Sequence, residues 1–129
     1  MRGWVKVHRK LLTSDLWKNT NVVKLWIWCL LKASHIQKEI LIEGKKVVLK
    51  PGQFIFGRKK AAYETNLSES QIRTCIEHLK SDQRITLTIT KRFSILTIRK
   101  WRSYQLEKEQ SNQKSDQKSS QKSSHIQEV

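Results

Sequence analysis

Acidic residues are scarce in this chain. Only 11 Asp and Glu stand against 26 Lys and Arg over 129 residues, a formal charge of +15 with a pI near 10.2. Proline occurs once and glycine four times, and Pro51 and Gly52 together mark a turn. No long apolar run is present: the longest, residues 22–31, is interrupted by Lys24 and is half the length that a membrane span requires. The first residues lead straight into an alternating segment instead of the apolar stretch of a signal peptide. Cysteine occurs only at positions 29 and 75. Both have apolar neighbours three and four residues away, so reduced core thiols in a cytoplasmic chain are expected, with a disulfide between them the alternative.

Motifs for catalysis are missing as well. His8, His35, His78 and His125 are dispersed, with no Cys or His at metal-ligand spacing, and neither a nucleophile elbow nor a complete phosphate loop occurs. Residues 57–60, Gly-Arg-Lys-Lys, lack the first glycine and the Ser/Thr of such a loop. The expectation is no enzyme, no metal and no cofactor.

What is present is positive charge with a particular distribution. Residues 107–129 hold four acids (Glu107, Glu109, Asp116, Glu128) and four bases (Lys108, Lys114, Lys118, Lys122) and are neutral. All of the +15, 22 bases against 7 acids, therefore lies in residues 1–106. Such a field attracts a polyanion through counterion release. A membrane surface is the competing partner, but it calls for a basic amphipathic helix with a broad apolar face, whereas here the bases are scattered over turns, strands and helix ends. Nucleic acid is the expected partner.

Hydrophobic periodicity divides residues 1–106 into one domain with a modest core. Residues 4–8 alternate as a strand would, and residues 10–18 read as a short helix offering Leu11, Leu12, Leu16 and Trp17 for burial. A longer helix follows, capped by Asn21 or Thr20, with Val22, Leu25, Trp26, Cys29, Leu30 and Ala33 on one face. Trp28 and Leu31 add a second apolar flank, either wrapped by the same domain or used against a partner such as a second copy. Residues 39–43 and 46–50 form a hairpin around Gly44 and Lys45, and residues 53–56 run extended into Gly57.

Residues 58–80 then read as two helices joined by a tight turn. Ala61, Ala62 and Tyr63 lie in the first, Asn66 suits the left-handed conformation that ends a helix, and Leu67 plugs the turn. Ser68 and Gln71 have the spacing of a capping box. In the second helix Ile72, Cys75, Ile76 and Leu79 share one face, leaving Ser70, Arg73, Thr74, Glu77 and His78 on the other. A hairpin of residues 85–90 and 93–99 follows, tipped by Lys91 and Arg92, with Trp101 and Tyr104 expected to close the core behind it.

The fold class expected is thus α+β, a winged helix-turn-helix with a preceding β-hairpin, and the expected ligand is double-stranded DNA. Ser70, Gln71, Arg73 and Thr74 would face base edges in the major groove, Arg73 suiting guanine O6 and N7. Arg58, Lys59, Lys60, Lys91 and Arg92 would neutralise phosphates. Glu77 would accept from cytosine or pair with Arg73.

The segments 4–12, 30–33, 51–54, the helix-turn-helix and the wing ending near Trp101, Tyr104 and Gln105 occur in an order that resembles the N-terminal winged-helix domain of phage replisome organisers and DnaD-like replication initiators. The resemblance spans roughly residues 3–105. It implies origin binding, recruitment of a replicative helicase loader and self-association; a winged-helix transcriptional regulator is the alternative. The sequence Ser81-Asp82-Gln83-Arg84 departs from the glycine that often follows a recognition helix in winged helices. Residues 107–129, with the four-residue repeats Asn112–Ser115, Asp116–Ser119 and Ser120–Ser123, read as a disordered tail, by composition a linker.

Overall fold

The computed structural model describes residues 3–106, so the tail expected at 107–129 lies outside the described residues. The chain folds as an α+β unit. Three α-helices, α1 (Thr20–Lys32), α2 (Arg58–Thr65) and α3 (Glu69–Ser81), pack together against a three-stranded antiparallel sheet. Its strands are β3 (Gln53–Phe56), β5 (Ser94–Ile98) and β4 (Ile85–Ile89), in the spatial order β3-β5-β4. A separate two-stranded hairpin, β1 (Lys38–Ile42) with β2 (Lys45–Leu49), stands before them.

Helix α1 follows from its periodicity, burying Val22, Leu25, Trp26, Cys29 and Leu30. Its cap is neither Asn21 nor Thr20 but Asn19, whose Oδ1 accepts from the Val22 amide at 3.2 Å. On the second flank, Trp28 is half-buried within its own fold. Its indole Nε1 donates to Glu64 Oε1 at 2.9 Å, and its ring meets Phe54 and Phe56 edge-on at 5.4 and 6.3 Å. Leu31 remains exposed.

Several expectations for the chain's ends are corrected. Residues 4–8 form no strand, because Lys6 pairs with a side chain in place of a neighbouring strand. Gln105 Oε1 accepts from its amide at 2.9 Å and Gln105 Nε2 donates to its carbonyl at 2.7 Å. Residues 10–18 form two 3-10 turns, Arg9–Thr13 and Asp15–Lys18, instead of one helix. Ser14 divides them: it sits at extended angles and its hydroxyl donates to the Leu11 carbonyl at 2.8 Å, a local bond that competes with helix continuation. Leu11 and Leu16 are buried, but Leu12 and Trp17 are exposed because the break turns them outward. Behind the sheet, Trp101 is buried as expected, whereas Tyr104 stays largely exposed against His8. Trp101 packs over Gly52, where a Cβ would lie 2.7 Å from Trp101 Cβ and φ is +89°.

The first hairpin is one residue out of the expected phase. Glu43 and Gly44, at φ 51° and 82°, occupy the two central turn positions, where Gly44 and Lys45 were expected. Two positive φ values in a two-residue connection match the twist of the flanking strands, and that geometry fixes Ile42 opposite Lys45.

Candidate nucleic-acid interface

Helices α2 and α3 are held at a short turn by interactions within the turn itself. Asn66 takes the left-handed conformation at φ 64°, ending α2 with its amide on the Ala62 carbonyl. Thr65 is buried and its hydroxyl donates to the Ala61 carbonyl at 2.7 Å, while the Leu67 amide donates to that hydroxyl at 3.3 Å. Ser68 and Gln71 form the capping box: Ser68 Oγ accepts from the Gln71 amide at 3.0 Å and Gln71 Oε1 from the Ser68 amide at 2.9 Å. Ile72, Cys75, Ile76 and Leu79 are buried beneath α3, and the opposite face, with Ser70, Arg73, Thr74, Glu77 and His78, is exposed.

These facts qualify the expected base-reading set. Ser70, Arg73 and Thr74 share the exposed face, and among the described residues Arg73 has no ion-pair partner. Gln71 is exposed, but its amide oxygen is committed to the cap, which leaves only its Nε2 group to donate outward. Glu77 pairs with Lys80 at 3.4 Å, one turn on, and not with Arg73.

The five expected phosphate contacts fall into two groups. Lys59 and Lys91 are exposed with no ion-pair partner among the described residues. Arg58, Lys60 and Arg92 each face a carboxylate: Arg58 lies 3.6 Å from Glu69, Lys60 4.0 Å from Glu64, and Arg92 is ion-paired with Glu43 of the first hairpin. All three pairs are solvent-exposed, so they are weak and exchangeable for a phosphate.

Hairpin β4–β5 projects from the body. Burial falls along β4 from Ile85, which is buried, through Leu87 to Ile89, which is 72% exposed. Thr90 closes its tip: its amide and hydroxyl both donate to the Phe93 carbonyl at 2.8 Å, and its hydroxyl accepts from the Phe93 amide at 3.1 Å. At the hairpin's base, α3 ends with Gln83 at φ 58°, the Gln83 amide on the Lys80 carbonyl and the Arg84 amide on the Leu79 carbonyl. Gln83 thus occupies the left-handed position that glycine usually fills at a helix end.

One residue placed in the first helix by the sequence was not among the expected contacts. Tyr63 lies on α2, four residues from Lys59, and is 87% exposed, a phenol available to a phosphate oxygen or sugar. Its signal was its place in a helix whose buried positions, Ala61 and Thr65, lie on either side of it in sequence.

Glu64 anchors the helices behind this face. The Trp28 indole donates to it, Lys32 lies 3.3 Å away, and together with Lys60 they hold its carboxyl below the usual range despite some opposing desolvation. Burial pushes the thiols of Cys29 and Cys75 up, and both cysteines are unbridged. Among the described residues, no three His, Cys, Asp or Glu come together as a metal site, and no helix is long and apolar enough to cross a membrane.

No protein-family model, curated protein or solved structure matches this chain.

Proposed function

We propose that this chain is a winged helix-turn-helix protein that binds duplex DNA, with α3 in the major groove and the β4–β5 hairpin as the wing. The observation that carries the reading is the split of α3. Its buried face is wholly apolar, while its outer face presents Ser70, Arg73 and Thr74 with an unpaired guanidinium, next to a projecting hairpin tipped with Lys91 and Arg92. The charge of +15 supplies a sequence-independent attraction on which such reading depends.

Within that reading, the resemblance of residues 3–105 to replisome organisers and DnaD-like initiators favours a role in replication initiation of phage or mobile-element type. The partners would be origin DNA, a helicase loader and further copies of the chain. The four-residue repeats of residues 112–123 favour the same role, and we infer that the gene segment encoding them forms part of the origin.

Fluorescence anisotropy of the full chain across a salt series tests this reading, with duplexes tiling its own gene and the neighbouring promoter against a random duplex and a single strand. Selective binding within the gene is expected. Selectivity for the promoter alone would point to a transcriptional regulator, and no duplex binding at moderate salt would overturn the DNA-binding reading.

A further inference from the structure

The two hairpins touch at their tips. Glu43, first of the two turn residues of β1–β2, is ion-paired with Arg92 at the tip of β4–β5, although 49 residues separate them in sequence. The first hairpin therefore stands beside the wing. The contact also fixes what each tip offers: Arg92 and Glu43 offset one another, while Lys91 on the wing and Lys45 and Lys46 on its neighbour have no ion-pair partner among the described residues.

The turn geometry places those two lysines at the tip. With Glu43 and Gly44 at positive φ, Lys45 is the first residue after the turn, opposite Ile42, and Lys46 lies opposite Leu41. Successive strand residues point to opposite faces, so Lys45 and Lys46 cover both sides of the hairpin end, and both are exposed. Ile40 and Val47 share the half-buried face; the turn end carries Glu43, Lys45 and Lys46, and the open end Lys38 and Glu39. The other acid of this hairpin, Glu39, is opposite Val48 and four residues before Glu43.

We infer that Lys45 and Lys46 form a second phosphate-contacting site, so that the wing and the first hairpin together grip one stretch of DNA backbone. This rests on the duplex-binding reading above. The Glu43–Arg92 pair marks the two tips as neighbours, and the three lysines supply the charge that a backbone sees. A projecting hairpin carrying exposed Lys beside a DNA-facing wing has a reason to be basic that a merely solvated tip lacks.

The test is the salt dependence of binding to a mixed-sequence duplex of about 30 base pairs, where each lost phosphate contact lowers the slope of log K against log salt by about 0.9. The full chain is compared with Lys45→Gln/Lys46→Gln, with Lys91→Gln, and with Arg99→Gln/Lys100→Gln, which removes the same charge from the far end of β5. Circular dichroism checks that each variant is folded. The first double variant should lower the slope by about 1 to 2 and the remote one leave it nearly unchanged. An unchanged slope in Lys45→Gln/Lys46→Gln, or an equal fall in both double variants, would overturn it. If Lys91→Gln lowers the slope while Lys45→Gln/Lys46→Gln does not, the hairpin assignment fails and the wing reading survives. Failure of the wild-type chain to bind the duplex would overturn both.

Discussion

The side-chain amide of Gln105 pairs with both backbone groups of Lys6, 99 residues away, as a neighbouring strand would. Gln105 is buried, and with Trp101 it closes the end of the fold where the first and last described segments meet. Replacing it strands one amide and one carbonyl of a part-buried backbone. Gln105→Ala should destabilise the chain by about 1–3 kcal/mol, the cost of an unsatisfied buried polar group, read by urea unfolding.

Glu64 should make stability pH-dependent. Its folded-state value lies below the ordinary 4.5, first because of the Trp28 indole and then because of Lys32 and Lys60. A lowered carboxyl contributes stability that is present above its ordinary value and lost as pH falls through the lowered one. Glu64→Gln keeps an acceptor for the indole but no charge to titrate. Thermal unfolding from pH 7 to pH 3 should show the difference between wild type and Glu64→Gln shrinking as the pH falls, whereas a constant difference would remove Glu64 as the source.

Gln83→Gly should stabilise the fold. At φ 58° a residue with a Cβ costs about 1–2 kcal/mol, and glycine's greater freedom when unfolded returns about half of the gain. A net increase of about 0.5–1 kcal/mol in urea unfolding is expected.

Gly52→Ala should do the reverse. Its Cβ would meet Trp101 Cβ at 2.7 Å while φ stays at +89°, so both crowding and backbone conformation oppose it. A loss of about 2–4 kcal/mol is expected, with Trp101 fluorescence shifting as the ring is displaced.

With α3 reading base edges as proposed, Arg73→Ala should relax discrimination at one base pair by about 1–3 kcal/mol, measured with single-substitution duplexes. Arg92→Ala should lower the salt slope less than Lys91→Ala does, because a phosphate that takes Arg92 must displace Glu43. Equal slopes for the two would show the pair to be immaterial.

Much of the central motif was legible before any coordinates, and for local reasons. The split faces of α3, the capping box and the left-handed Asn66 depend on residues within four positions of one another, so periodicity and cap chemistry suffice. What escaped was set by distant partners. The Lys6 segment alternates like a strand, yet nothing nearby reveals that a glutamine 99 residues on will take its hydrogen bonds. The pairing of Arg92 with Glu43 depends on where two hairpins end in space. Turn phase was missed by one residue because Gly44 fits either central position, and only Glu43 accepting a positive φ decides between them.

Cys29 and Cys75 are both buried, their thiols pushed away from the reactive thiolate form. The folded chain is therefore nearly silent to alkylating reagents at neutral pH. Lys91→Cys would place one accessible sulfur at the tip of the β4–β5 hairpin, ready for a fluorophore or a photocrosslinker without first removing the native cysteines.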